Sequence, residues 1–426
     1  MELYNLKHPA ERVNFAEAVR RGLGQDQGLF FPTEIPRLNL DDAFWQGDFV
    51  HRAQRVLGAW LNDELGEETV NALVRDAFNF PLPLVPVEAN QHCLELFHGP
   101  TLAFKDFGAR FLARTLSLVA QDAPMTILTA TSGDTGAAVA DAFYGLPNIQ
   151  VVVLYPDGGI SELQEKLFCT LGGNVHTLKV SGSFDDCQGM VKAAFSDAPL
   201  KAQFGLTSAN SINIARLLAQ TVYYFEALAQ LPAEQRQQAV FAVPSGNFGN
   251  LTAGLLAKAM GAPIRRFVAA TNSNDTVPRY LKSGQWQPGP VHATLSNAMD
   301  VTSPNNWPRV EALFAHEGWP LAELAGERVS EAETQARLKA MHQVGYLSEP
   351  HAAVASEALV RQLEPGEVGV FLGTAHPAKF QGAVEAVLTL TLPLPPALAA
   401  VQEKAVLSEA LPAEAEALKA MLRARL

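Results

Sequence analysis

A chain of 426 residues, 48% hydrophobic and 18% charged, is long enough for two or three cores and too apolar to be disordered. Its net charge of −12 argues against a nucleic acid or an anionic membrane surface as partner, because either would want a basic face. A small anion held by a local nest of N–H groups is compatible with that charge.

From the N-terminus, Met1 to Lys7 carries no apolar h-region, and no later run of about 18 uncharged apolar residues follows, so a soluble cytoplasmic protein is expected. Residues 13–23 read as a helix stopped by Gly24, and Gly28-Leu29-Phe30-Phe31-Pro32 as a short apolar strand or turn. Helical patterns over 49–61 and 67–78 precede a joint at Pro81, Pro83 and Pro86. Next come His98-Gly99-Pro100-Thr101-Leu102-Ala103-Phe104-Lys105-Asp106, with Phe104, Phe107, Phe111, Leu112 and Leu116 recurring at helical spacing. From 125 to 180 the pattern alternates: strands at 125–131, 149–155 and 175–180, helices at 137–144 and 161–171. Those strands lack polar alternation, which implies a parallel sheet covered on both faces. A long helix over 212–231 carries Tyr223, Tyr224 and Phe225, which read as core. A second round follows with strands at 239–243 and 264–271 around a helix at 251–260. The stretch 296–308 is Asn- and Pro-rich and reads as a long ordered loop, with Asn297, Asp300, Asn305 and Asn306 as turn residues. Helices near 310–316, 331–344 and 351–363 lead to a strand at 368–372, and past Pro393 the tail reads as a covering helix.

Lys105 falls in the first turn of a helix with a buried face. Desolvation and the positive end of the helix dipole both favour the neutral amine, which is the form Schiff-base chemistry needs. The alternative is a lysine that snorkels past an aromatic core. Two strand–loop–helix junctions, Thr131-Ser132-Gly133-Asp134-Thr135-Gly136 and Pro244-Ser245-Gly246-Asn247-Phe248-Gly249-Asn250, bring N–H groups together at helix N-termini, as an anion site requires. Each could equally be an ordinary tight turn, and neither is GxGxxG nor GxxxxGK[ST]. Thr374, in Gly373-Thr374-Ala375-His376-Pro377, follows a strand end and could offer its hydroxyl to a ligand or cap the next helix. Ser208 to Asn213 is a polar run longer than capping needs. Cys93, Cys169 and Cys187 form no CxxC pair and read as buried reduced thiols. His98 and His376 have no partner at ligand spacing and no HExxH occurs, so no metal is expected; no GxSxG elbow occurs either.

Taken together, these motifs resemble the threonine synthases, pyridoxal-phosphate enzymes of fold type II, in their long bacterial and fungal layout. The likeness runs from Leu3-Tyr4-Asn5 to Gly373-Thr374-Ala375-His376-Pro377-Ala378-Lys379-Phe380. It implies an α/β fold of two doubly wound parallel-sheet lobes with an N-terminal mixed α/β region. The expected division is 1–93 for that region, 94–210 for a smaller lobe with the Schiff-base lysine, 211–395 for a larger lobe and 396–426 for the tail. The resemblance makes Lys105 the residue that forms the internal aldimine with pyridoxal 5'-phosphate and then the base at Cα. It gives the cofactor phosphate to Gly246, Asn247, Phe248, Gly249 and Asn250, and the pyridine nitrogen to Thr374. Ser132, Gly133, Asp134 and Thr135 would clamp the α-carboxylate of O-phospho-L-homoserine, with Ser208, Asn210, Asn213 and Arg216 as candidates for its phosphate. The implied reaction is β,γ-elimination of phosphate followed by addition of water to give L-threonine, by a monomer or homodimer. A relative that releases 2-oxobutyrate, or one that only binds ligand, would share the same motifs.

Overall fold

The computed structural model describes residues 1–120 and 124–426. In the N-terminal region β1 (Glu2–Asn5) pairs antiparallel with β2 (Arg12–Asn14) and with β3 (Phe30–Pro32). The helix expected over 13–23 is shorter, Phe15–Arg21, because β2 takes the residues before it and the Asn14 side chain caps it by accepting from Glu17 N at 2.9 Å. Helices Phe49–Leu65 and Glu67–Ala77 follow, joined at Gly66, whose φ of 82° suits glycine. The first of them plants Arg52 against Glu226, a buried pair with Nη2–Oε2 at 2.6 Å that fastens this region to the core.

β4 (Leu84–Glu88) and β5 (Gln91–Glu95) make an antiparallel hairpin. β6 (Met125–Ala130), β7 (Ile149–Pro156), β8 (Val175–Ser181) and β9 (Leu206–Thr207) alternate with helices, as do β10 (Ala239–Pro244), β11 (Ile264–Thr271), β12 (Ala325–Arg328) and β13 (Val368–Gly373), and β14 (Glu409–Pro412) lies near the C-terminus. Six strands assemble in the order β12–β11–β10–β13–β5–β4, parallel except at the β4–β5 edge. Five form a second, wholly parallel sheet in the order β14–β8–β7–β6–β9. The unalternating run Val151–Tyr155 of β7 is buried throughout, because helices cover both faces of its sheet. Between the sheets runs the helix Ile214–Gln230, buried at every position from Ile214 to Leu228 and packed on helices Phe49–Leu65, Lys105–Val119 and Gly249–Ala259. Tyr223, Tyr224 and Phe225 are core residues of this helix.

Two expectations of organisation need correction. The boundary at residue 93 falls inside β5, and β5 belongs to the larger sheet through β13, so the chain enters that sheet before building the smaller one. The segment 396–426 is more than a covering helix: it folds as helix Pro396–Gln402, strand β14 and helix Ala415–Arg425, and β14 completes the smaller sheet beside β8. Four residues of mixed polarity, Glu409 to Pro412, carry no strand signal of their own; the exposed edge of β8 recruits them. The stretch 296–308 is anchored by the residues that follow β11. Asn272 Nδ2 donates to Asp300 Oδ1 at 2.9 Å and Asn274 Nδ2 to the same oxygen at 3.1 Å, so Asp300 is the hub of a network and more than a turn residue. Among the described residues no helix is long and apolar enough to cross a membrane.

Leu418 of the last helix is fully buried in one cluster with Cys187, Met190 and Val191 of the smaller lobe. Leu418→Ala should therefore lower stability by about 2–5 kcal/mol, read as a fall in the urea midpoint; a loosely attached cover would leave the midpoint where it is.

Candidate active site

Four segments of the chain converge where strands end. β5 leads through His98 to Thr101 into helix Lys105–Val119, and β6 through Thr131 to Gly133 into helix Asp134–Phe143. β10 runs through Ser245 to Phe248 into helix Gly249–Ala259, and β13 through Thr374 into the turn Pro377–Phe380. All four follow carboxyl ends of parallel strands, and β10, β13 and β5 are immediate neighbours in one sheet. That is where open α/β sheets hold ligands.

The Lys105 and Thr374 segments are stitched together. Phe104 N donates to the Thr374 carbonyl at 2.8 Å and His376 N to the Leu102 carbonyl at 3.0 Å. Leu102 holds a φ of 59°, a strained value for a leucine that this stitching imposes. Asp106 is fully buried, and burial pushes its carboxyl up to about 6 while it accepts from Thr101 N at 2.9 Å and Thr101 Oγ1 at 2.5 Å. Gly99 is required there, since a Cβ would collide with the Asp106 side chain. Lys105 opens its helix, and no side chain caps that end. Its surface stays partly open, as befits a residue that must meet a ligand. Desolvation of its amine, reinforced by the charges of Arg216 and Lys379 and opposed by Asp134, pushes it down to about 8. The amine is thus the near-neutral group expected from the sequence, and it does not snorkel away.

In the smaller lobe, Thr131 Oγ1 accepts from Gly133 N at 3.0 Å and Gly136 N at 2.8 Å, curling the loop. Gly133 has a φ of 136° and leaves the following helix without a side-chain cap. Ser132 is exposed, Thr135 partly buried and Asp134 buried. Burial alone would raise the Asp134 carboxyl; the charges of Lys379 and Lys105 hold it at about 2. Lys379 is fully enclosed, with Nζ 2.5 Å from Asp134 Oδ1 and donating to the Thr101 carbonyl at 2.7 Å. Its only signal in the sequence was a cation inside the apolar run Ala378-Lys379-Phe380, and its role there was not read.

In the larger lobe, Phe248 sits at a φ of 62° and starts a helix that likewise has no side-chain cap. Asn306 N and Nδ2 donate to the Asn247 carbonyl at 3.2 and 3.1 Å, so this asparagine, read as a turn residue, buttresses the loop. A Cβ on Gly246 would meet the Ala298 carbonyl oxygen at 2.9 Å and Met299 Cα at 3.0 Å, so backbone packing requires glycine. Tyr223 and Tyr224 hydroxyls donate to Asn250 Oδ1 at 2.6 and 2.7 Å. The Tyr223 ring lies 5.3 Å from Phe107, two residues past Lys105, which connects the two segments through the central helix.

The polar run before that helix divides. Asn213 is committed to structure: its Oδ1 caps the helix by accepting from Ala215 N, and its Nδ2 donates to the Val19 carbonyl at 2.9 Å. Ser208 Oγ accepts from Asn210 N at 3.3 Å, and both residues stay partly open. Arg216 is buried, donates through Nη1 to the Ala209 carbonyl at 2.6 Å, and forms no ion pair among the described residues. Burial brings its guanidinium down to about 10. His98 bonds Glu95 at 2.7 Å. His376, not Thr374, caps the turn Pro377–Phe380 by accepting from Ala378 N at 3.1 Å, which frees the Thr374 hydroxyl from the capping alternative.

The donor set fits a phosphate-bearing aldehyde. Among the described residues Asn250 Nδ2 and Arg216 Nε are buried with no partner, each a donor with nothing to donate to. Two uncapped helix N-termini, a near-neutral amine and a free hydroxyl at a strand end complete the requirement for pyridoxal phosphate.

Comparison with known proteins agrees with that chemistry. Residues 81–372 match the model of pyridoxal-phosphate dependent enzymes, residues 6–78 that of the threonine synthase N terminus and residues 352–422 that of the threonine synthase C-terminal region. Threonine synthase of Haemophilus influenzae is 61% identical over 93% of this chain and 94% of its own, and that of Escherichia coli 59% identical over 99% of both. The crystal structure of the Escherichia coli enzyme superposes with a TM-score of 0.95 over 100% of both chains. The PLP-bound threonine synthase of Brucella melitensis, 34% identical, does so at 0.93 over 100% of this chain and 99% of its own. With all three family models matched along the chain and relatives near 60% identical over almost its whole length, the chain belongs to the threonine synthase family of pyridoxal-phosphate dependent enzymes.

Proposed function

We propose that this protein converts O-phospho-L-homoserine and water into L-threonine and phosphate in the cytoplasm, the last step of threonine biosynthesis. The observation that carries the reading is Lys105: an amine lowered to about 8 by burial, on a residue partly open to solvent and placed at the same strand ends as two helix N-termini. When bound, pyridoxal phosphate supplies an electron sink for negative charge developing on the substrate. Gly246 to Asn250 hold its phosphate through the N-terminus of helix Gly249–Ala259, and Asn250 adds its unspent amide N–H. Thr374 would offer its hydroxyl to the pyridine nitrogen.

Lys105 carries the cofactor at rest and afterwards acts as the base that takes the proton from Cα. A group titrating near 8 both accepts and returns protons around neutral pH, which repeated transfers require. The substrate's α-carboxylate binds at the open N-terminus of helix Asp134–Phe143, against the backbone of Ser132 to Thr135. Its phosphate binds Arg216, whose buried Nε has no partner, with Ser208 and Asn210 at the rim. Asn213 is excluded from that set because its amide is bound to Ala215 and Val19.

Three outcomes check this reading. Lys105→Ala should lower the rate of phosphate and threonine formation from O-phospho-L-homoserine by roughly a thousandfold, within the usual span for loss of a catalytic base; release of 2-oxobutyrate by the wild type would point to a lyase instead. Gly246→Ala forces two backbone neighbours apart, so the dissociation constant for pyridoxal phosphate should rise about ten- to a hundredfold, in line with overpacking costs near 1–3 kcal/mol, as measured by equilibrium dialysis. The third concerns pH. A depressed amine is neutral above its own titration point, so cofactor uptake by the cofactor-free protein should accelerate up to a pH of about 8 and then level off. An ordinary lysine would keep gaining rate up to a pH of about 10.4.

A further inference from the structure

Lys379 is a fully enclosed cation of the site, and its ammonium reaches neither a helix cap nor solvent. Its ammonium makes two contacts, Asp134 Oδ1 at 2.5 Å and the Thr101 carbonyl at 2.7 Å. These belong to different parts of the molecule: Asp134 opens the helix behind the smaller sheet, Thr101 lies on the approach to Lys105, and Lys379 itself follows β13 of the larger sheet. Stability alone is a poor account of such a pair. Taking both ions out of water costs several kcal/mol each, and apolar residues of similar volume serve as well or better.

Asp134 poses a problem that the pair solves. A carboxylate in the first turn of a helix is drawn to the free N–H groups there and can itself occupy the anion site. Left unpaired, it also repels any incoming carboxylate. Its partners among the described residues are Lys379 and, at 3.4 Å, the Gln164 side-chain amide; no backbone N–H is among them. Among the described residues Thr131 Oγ1 takes Gly136 N of that helix, and Asp134 N and Thr135 N have no acceptor. We propose that Lys379 is a positioning residue for the substrate's α-carboxylate: by pairing with Asp134 it withdraws and neutralises the one resident carboxylate and leaves the helix N-terminus open for the substrate's own. This rests on the assignment of the Ser132–Thr135 loop made above. The second contact, to Thr101, fixes that carboxylate site relative to the segment bearing Lys105.

The test uses the holoenzyme and two unreactive phosphonates: 2-amino-5-phosphonopentanoate, which keeps the substrate's amine, carboxylate and chain length, and 4-aminobutylphosphonate, which lacks only the carboxylate. Binding is followed by the change in the cofactor's visible absorbance. Lys379→Met should weaken the carboxylated compound by about tenfold or more and its decarboxylated counterpart by less than about threefold, since a like charge placed opposite a ligand costs several kcal/mol. The double variant Asp134→Asn with Lys379→Met buries no unpaired charge. It should bind the carboxylated compound within about threefold of wild type, because the repulsion is gone with its source. Equal weakening of both compounds, no weakening of either, or a double variant that stays as weak as Lys379→Met would overturn the role. Should Lys379→Met not fold, the double variant decides alone on the same threshold. A wild type whose absorbance responds to neither compound would sink the underlying site assignment instead.

Discussion

Two lysines and one carboxylate share a site from which water is largely removed, and most of the chemistry follows from that arithmetic of charge. Lys379 holds Asp134 at 2.5 Å, so the carboxylate that acts on Lys105 is already claimed. For Lys105, burial outweighs the charge of Asp134 that favours its proton, and Arg216 and Lys379 act further against it. Pairs near a protein surface interact by about 4 kcal/mol at 4 Å, so which amine owns the carboxylate decides which one gives up its proton. The consequences for folding run in opposite directions. Asp134 is held at about 2, so its stabilising effect is complete above its unfolded value near 4 and disappears as pH falls through about 2. Lys105 sits at about 8 against an unfolded value near 10.4, so it destabilises below about 8, and that cost fades as pH rises between the two values. The protein maintains an unfavourable amine at working pH because the reaction needs it.

Backbone geometry makes the same concession to function. Leu102 and Phe248 hold φ values of 59° and 62°, one on the approach to Lys105 and one at the head of helix Gly249–Ala259. Each costs about 1–3 kcal/mol, and each is held by neighbours: the Thr374 segment clamps Leu102 and Phe104, and the Asn306 amide clamps Asn247. Arg309, fully buried, in turn steadies Asn306 through Nη1 at 2.8 Å and the Phe30 carbonyl through Nε at 3.0 Å. The N-terminal region thus supports a loop more than 200 residues distant in the chain, which gives its mixed sheet a purpose beyond covering the core.

What the sequence disclosed, it disclosed through periodicity. Helices over 49–65 and 214–230 and strands β7, β10, β11 and β13 announce themselves because one continuous apolar pattern determines each. Strands of two to five residues do not: β9 is Leu206–Thr207, and β14 becomes a strand only because β8 offers it a partner. In the site, motifs built of glycine and small polar residues were legible because few structures use that composition. Lys379, Asn306 and Asp300 were not, since a lone lysine or asparagine says nothing until the fold supplies its partner. Asn213 failed in the other direction, a polar residue in a suggestive run that the helix cap consumed.

Under the proposed reading, Arg216 connects substrate binding to proton transfer. It is a buried cation without an ion-pair partner among the described residues, lowered to about 10, and its charge is one of those that depress Lys105. A phosphate dianion seated on it neutralises that charge. The proton affinity of the Lys105 amine then rises, at the stage when the amine must take a proton from Cα. Loss of the phosphate restores the positive field and favours return of the proton. Under the proposed reading, the leaving group therefore adjusts the base through the guanidinium between them, and only the correctly phosphorylated substrate does so. A ligand without the phosphate would bind beside an amine whose basicity is still held down to about 8, so specificity and catalytic competence share one residue.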